Sequence, residues 1–220
     1  MRDQLLGGDS KDLDVEVFGL SADALEAILR RLGQVNTVGR SFGVLKWRPP
    51  GVAAGSEVDV SIPRRDSKDG PGHRGIAVEG DPWMSQEEAA RRRDLTVNAI
   101  SFDLRERAIV DPFNGRDDLE RGLLRAVDEK TFLEDPLRAL RVAQFSARLG
   151  FQPVPELTAL CRQAPLDELP AERVQGEWQK LLLKASKPSL GMRFARDAGI
   201  LERVFPEAAR ANQDALLDAM

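Results

Sequence analysis

Asp12 and Asp14 stand two residues apart in Lys11-Asp12-Leu13-Asp14-Val15-Glu16-Val17. Side chains two apart on an extended strand project to the same face, so this spacing sets two carboxylates side by side. Charges of one sign held that close repel each other, and a bound divalent cation relieves the repulsion. Asp59, in Val58-Asp59-Val60, has the same kind of setting. On a neighbouring strand it would complete a three-carboxylate site. Such a site would clamp the phosphates of a nucleoside triphosphate and activate an attacking hydroxyl. An acidic pair alternating with apolar residues is also the ordinary solvent face of a sheet, so the pair alone decides nothing.

Several elements must position these residues. Leu13, Val15 and Val17 alternate with Asp12, Asp14 and Glu16, which predicts a strand. Ser21 caps a helix running to Leu32, with Leu25, Ile28, Leu29 and Leu32 on one face and Gly33 ending it. Short strands are expected over Gly43–Trp47 and Glu57–Ile62, a helix over Glu87–Arg93, and a strand pair over Ala99–Asp103 and Ala108–Val110. Residues 64–80, rich in Gly, Pro and charge, read as a mobile loop. From Asp128 the pattern turns helical, with Pro136 in the first turn of a helix that Gly150 closes. Further helices fit Glu156–Arg162, Glu172–Ala185 and Ser189–Ala198. The expected fold is α+β, with a small mixed-sheet head over 1–126 followed by an all-helical neck region over 127–220.

Composition limits the chemistry. The chain has 220 residues, one cysteine and one histidine, Cys161 and His73, which excludes a disulfide framework, a CxxC zinc site and a His-rich metal cage. A catalytic metal would have to sit on carboxylates, which suits Mg²⁺ or Mn²⁺. No apolar run approaches the ~18 residues of a membrane span, and no signal peptide is evident, so a cytoplasmic protein is expected. The net charge is −4. Basic residues nevertheless cluster, at Arg64, Arg65, Lys68 and Arg74 and again at Arg91–Arg93, and either cluster is a phosphate-binding patch or a solvated surface.

Five stretches, in order, carry a resemblance. They are Arg2-Asp3-x-Leu5-Leu6-Gly7 followed by Asp12-x-Asp14, then Arg92-Arg93-Asp94-Leu95-Thr96-Val97-Asn98-Ala99. Next come Asp111-Pro112-Phe113-Asn114-Gly115 with Asp118-Leu119 and Leu124-Arg125, then Glu134-Asp135-Pro136-Leu137-Arg138-x-Leu140-Arg141. The last is Glu172-Arg173-Val174 with Glu177 and Leu181-Leu182. Together these resemble the motifs of the class II tRNA nucleotidyltransferases (CCA-adding enzymes) and bacterial poly(A) polymerases, within the DNA polymerase β-like nucleotidyltransferase superfamily.

The resemblance implies roles. Asp12 and Asp14 would bind the metal, with Asp59 as a further catalytic carboxylate. Arg93 would contact the triphosphate and Asp94 the ribose 2′-hydroxyl, with Arg2, Asp3, Asn98 and Arg141 also at the nucleotide. Asn98 has a plainer alternative, a local hydrogen bond to the backbone. Asp135 and Arg138 would read the base edge, and Glu134 would help hold Arg138. On a helix, residues three and four apart meet, so these three are expected to lie together. The same spacing also describes a surface ion pair. Residues 64–80 occupy the place of a loop that helps switch from C to A addition, and here they either do the same or form only a solvated loop.

The implied reaction is template-independent transfer of CMP and AMP from CTP and ATP to the 3′ end of tRNA. Addition of A alone, of CC alone, or of poly(A) shares these motifs, and a catalytically silent RNA- or nucleotide-binding remnant is the alternative of another class. A small-molecule nucleotidyltransferase on a similar head fits less well, because Glu134, Asp135 and Arg138 read as base-selecting. The family pattern opens with Gly-Gly-x-Val before Arg2 and continues well beyond Met220, often into an HD phosphohydrolase domain. Weakened triphosphate binding and no phosphohydrolase activity are the corresponding expectations for this sequence. Oligomeric state and RNA-contacting residues are not legible.

Overall fold

Ser21 and Gly33 bracket the first long helix as the sequence predicts. The Ser21 side chain accepts from Ala24 N, and the Gly33 N–H donates to Leu29 O. A computed structural model describes residues 1–8, 13–36, 43–53, 55–68 and 76–210. The chain divides into two compact units, one reaching Ala89 and the other starting at Ala90, with Arg2 grouped into the second.

The first unit contains α1 (Arg2–Leu5), β1 (Asp14–Glu16), α2 (Ala22–Leu32), β2 (Gln34–Asn36), β3 (Val44–Arg48), β4 (Val58–Ser61), β5 (Arg64–Lys68) and β6 (Ile76–Gly80), and α3 (Gln86–Arg91) runs across the division. Four strands form a mixed sheet in the order β1-β4-β3-β2, with β1 parallel to β4 and the other pairs antiparallel. Val60 aligns with Val15 and Leu45 on the face packed by Leu25 and Leu29 of α2. Burying one face in this way fixes the register, because a slip of one residue would turn every side chain over. The opposite face is polar.

Residues 64–68 and 76–80 depart from the expected loop. β5 and β6 pair as an antiparallel hairpin, Arg64 opposite Gly80 and Lys68 opposite Ile76. A two-stranded ladder is held by backbone hydrogen bonds and needs no buried apolar face, so β5 carries no alternating apolar signal. The intervening stretch, with His73 and Arg74, lies outside the described residues.

The second unit holds a 3₁₀ turn (Thr96–Asn98), β7 (Ser101–Asp103), β8 (Ala108–Val110), α4 (Gly115–Arg121), β9 (Leu123–Leu124), α5 (Glu129–Glu134), α6 (Leu137–Leu149), β10 (Gln152–Pro153), α7 (Pro155–Gln163), α8 (Ala171–Lys184), α9 (Pro188–Asp197), α10 (Ile200–Val204) and α11 (Pro206–Arg210). β7 and β8 pair antiparallel as expected. α6 is the central helix. It is buried on most sides because α8 and α9 both pack along it, and Phe132, Leu140, Leu157 and Leu181 fill the surrounding core. Gly150 closes α6 in the left-handed conformation (φ 73°), which glycine adopts without a Cβ penalty.

One helical expectation fails. Glu134, Asp135 and Arg138 do not share a helix. α5 ends at Glu134, Asp135 is extended (φ −119°, ψ 100°), and α6 starts after Pro136. The proline ring clashes with a helical residue before it, which drives Asp135 out of the helix.

Candidate functional site

The open face of the first unit's sheet carries Asp14 and Asp59 as register partners across the parallel β1–β4 pair. Lys46 of β3 is the next partner in the row, opposite Asp59. Its Nζ lies 3.0 Å from Asp59 Oδ1, with the side chains 49% and 39% exposed. Partners in register share a face, so two carboxylates and one ammonium stand abreast. Exposed carboxylate oxygens side by side fit a hard divalent cation such as Mg²⁺ or Mn²⁺, and Lys46 is a competitor for one of them. Asp12 lies outside the described residues. No group of three or more metal-binding side chains occurs among the described residues. Asp3 is half-buried in α1, and its carbonyl accepts from Gly8 N at 2.9 Å.

In the second unit, Asp94 is the hub. It is 7% exposed. Its Oδ1 accepts from Leu95 N at 2.8 Å and Asn98 Nδ2 at 2.9 Å, and its Oδ2 accepts from Arg141 Nε at 2.7 Å. Asn98 Oδ1 in turn accepts from Arg2 Nη1. The Arg2 and Arg141 guanidiniums lie 4.9 Å and 5.2 Å from the centre of the Phe145 ring. The circuit therefore closes through Arg2, Asn98, Asp94, Arg141 and Phe145. Burial pushes the Asp94 carboxyl up, but the Arg141 charge outweighs it together with the hydrogen bonds from Asn98, Arg141 and Leu95. The net result lies below the ordinary value of 3.8. For Arg141, burial works against the charge, and Asp94, with help from Glu177 and Asp135, overrides it and raises the guanidinium.

Arg138 is held by backbone. Its Nη1 donates to Thr131 O and its Nη2 to Arg92 O, both at 2.6 Å. Asp135 accepts from Leu137 N through Oδ1 at 3.1 Å and from Arg173 through Oδ2 at 3.0 Å. Glu134 ends α5 and is half-buried. Arg93 is half-buried in the turn that follows α3, and its N–H donates to Ala90 O at 3.0 Å. Of the basic clusters, Arg65 is paired with Asp81 at 2.7 Å, and Arg91 sits 5.2 Å from the Phe113 ring centre.

The structure thus joins Arg2, Asp94, Asn98 and Arg141 in one network, seats Asp135 and Arg138 on the α5–α6 break, and aligns Asp14 with Asp59. Lys46 and Phe145 were not singled out from sequence. Arg173 lies in the fifth motif, but its partner is 38 residues away, a pairing that spacing does not signal.

Residues 1–125, more than half of the chain, match the family described as the poly A polymerase head domain. The chain belongs to this family. Residues 151–212 match a second family, "Probable RNA and SrmB- binding site of polymerase A". Beside these poly A polymerase domains, the chain is 38% identical over 217 residues to the multifunctional CCA protein of Methylococcus capsulatus, covering 96% of this chain and 48% of that one. The Bacillus stearothermophilus CCA-adding enzyme in complex with CTP superposes with a TM-score of 0.75 at 30% identity, covering 90% of this chain and 46% of that one. A tRNA nucleotidyltransferase complexed with a primer tRNA and an incoming ATP analog gives 0.72 at 25% identity, over 93% and 56%. The chain spans about half the length of the curated relatives it matches. No helix among the described residues is long and apolar enough to cross a membrane.

Proposed function

We propose that this chain carries the nucleotide-adding part of a cytoplasmic enzyme that transfers CMP and AMP from CTP and ATP to the 3′ end of tRNA. The observation that carries the chemistry is the register of β1 against β4, which sets Asp14 beside Asp59 on an open sheet face. The substrate assignment is supported by relatives whose names give CCA addition, CTP, a primer tRNA and an ATP analog. Residues 1–126 form the nucleotidyltransferase head and 127–220 the helical neck and the start of the RNA-binding body.

The tRNA 3′-oxygen bonds to the α-phosphorus of the incoming nucleotide, the bond from that phosphorus to the pyrophosphate oxygen breaks, and the hydroxyl proton is lost. Asp12 and Asp14 would hold Mg²⁺ or Mn²⁺, with Asp59 as a further catalytic carboxylate. When bound, the cation lowers the pKa of the attacking hydroxyl and neutralises charge on the triphosphate. Arg93 supplies a planar fork of donors to phosphate oxygens, and Arg2 and Asp3 also serve the nucleotide. Asp94 Oδ2 accepts one hydrogen bond and keeps a lone pair for the ribose 2′-hydroxyl. Asn98 and Arg141 orient it.

Base choice falls to Asp135 and Arg138, supported by Glu134. A carboxylate accepts from the exocyclic amino group that cytosine and adenine share, where uracil offers a carbonyl. The carbonyls of Thr131 and Arg92 fix the Arg138 guanidinium before any nucleotide arrives.

The test is incorporation of labelled CTP and ATP, each alone and together, onto a tRNA lacking its 3′ CCA. Extension by the wild-type chain, abolished in Asp12→Ala/Asp14→Ala, supports the assignment, and the product sequence separates CCA, CC, A and poly(A) addition. A wild-type chain that adds neither nucleotide to the tRNA would overturn it in favour of a catalytically silent RNA- or nucleotide-binding remnant.

A further inference from the structure

We infer that Thr96 and Asp118 form a positioning pair that aims Asp94 at the nucleotide sugar, so that discrimination between ribose and deoxyribose depends on a buried hydrogen bond behind the site. This rests on the proposed nucleotide-binding role of Asp94 and deepens it.

Thr96 is 2% exposed and Asp118 3% exposed. Thr96 Oγ1 donates to Asp118 Oδ2 at 2.8 Å. Arg125 Nε donates to both Asp118 oxygens, at 3.3 Å and 3.2 Å. The third side of the triangle is backbone, with Thr96 N donating to Arg125 O at 3.0 Å. The Thr96 carbonyl is confined as well, because it lies against Gly115 at the start of α4, where a Cβ would have no room. Every polar group of Thr96 is therefore held by α4 or by the segment around Arg125, or, at the carbonyl, by its own turn through Ala99 N at 3.0 Å.

The constraint reaches Asp94 through one residue of extended backbone. Leu95 has φ −126° and ψ 147° and pairs with Ala126 in an antiparallel bridge. Side chains on either side of an extended residue project to the same face, so fixing the Thr96 hydroxyl fixes the direction of the Asp94 carboxylate. Val127 N donating to Asp94 O at 3.3 Å ties the other end of the same stretch. A hydrogen bond to a buried carboxylate is charge-assisted and is not weakened by water. A buried ion pair such as Asp118–Arg125 is a weak source of net stability. Here it presents a carboxylate oxygen to Thr96 in one fixed place.

The experiment compares binding of CTP and 2′-deoxy-CTP, with Mg²⁺, to the wild-type chain, Thr96→Val, Thr96→Ser and Asp94→Ala. Valine keeps the shape and removes the hydroxyl, and serine restores it. The readout is the ratio of the two dissociation constants within each variant, which does not change if part of the protein is unfolded. The expected result is a preference for CTP in wild type, a ratio reduced on the order of tenfold in Thr96→Val, recovery in Thr96→Ser, and loss in Asp94→Ala. If Asp94→Ala loses the preference while Thr96→Val keeps it, the positioning pair is overturned and the Asp94 assignment stands. If wild type shows no preference, or Asp94→Ala keeps it, the ribose role of Asp94 falls and takes the inference with it.

Discussion

Arg141 reaches back 47 residues to donate through Nε to Asp94 Oδ2 at 2.7 Å, tying the start of α6 to the turn that follows α3. Asp94 is nearly inaccessible, so its charge depends on this partner. Folding lowers the Asp94 carboxyl, which means folding favours its ionised form. The resulting stabilisation is complete above the ordinary carboxyl range and is lost as pH falls through the lowered native value. Asp94→Asn is expected to cost about 2 kcal/mol at neutral pH. The difference between wild type and variant should hold steady from about pH 8 to 5 and shrink below about pH 4. Urea unfolding across that range checks both statements, and a difference that grows in acid would contradict them.

Two glycines should respond to alanine in opposite directions. At Gly115 a Cβ would run into the Thr96 carbonyl and approach Ile100 Cγ1 to 2.9 Å. The obstacle is backbone, which cannot step aside, so Gly115→Ala should destabilise by about 1–3 kcal/mol. Gly176 lies inside α8 with nothing within 4 Å of an added Cβ. There alanine only restricts the unfolded chain, and Gly176→Ala should stabilise by about 0.5–1 kcal/mol. Denaturant midpoints of the two variants against wild type decide the matter.

The parts of this fold that were legible are those set by local chemistry. α2 was readable from end to end because Ser21, the apolar spacing and Gly33 all speak for the same helix. α6 was readable from Pro136 to Gly150 for the same reason. The break at Asp135 was also written in the sequence, in the proline that follows it, but the helical spacing of Glu134, Asp135 and Arg138 suggested a continuous helix. β5 of the β5–β6 hairpin, Arg64–Lys68, carries no apolar residue to signal a strand. Of the candidate site, two apolar-flanked strands pointed to Asp14 and Asp59 as neighbours, but the register that aligns them was not legible. The pairings of Arg141 with Asp94 and of Arg173 with Asp135 did not follow, because helix packing decides which distant side chains meet.

Cys161 should report on the folding of the helical unit. It is fully buried in α7, and burial pushes its thiol up to about 12. The thiolate is the reactive form, so a native chain at about pH 8 should resist maleimide and react only as fast as it opens. Labelling rates measured against urea concentration should follow the unfolding of the helical core. Rapid labelling of the native chain would show that α7 opens locally.

Lys46 bears on the metal role proposed for Asp14 and Asp59. Lys46, Asp59 and Asp14 are consecutive partners across β3, β4 and β1, and the ammonium lies 3.0 Å from Asp59 Oδ1. A cation drawn to these carboxylates competes with that ammonium. The ion pair is exposed, so it contributes about 0–1 kcal/mol to the fold, and Lys46→Gln should leave the melting temperature nearly unchanged. With the competitor removed, the Mg²⁺ concentration giving half-maximal nucleotide incorporation should fall, by roughly two- to tenfold. A Mg²⁺ titration of the tRNA extension assay measures this directly. If the variant instead needs more Mg²⁺, or stays slow at saturating Mg²⁺, Lys46 acts on the triphosphate and not as a placeholder for the metal.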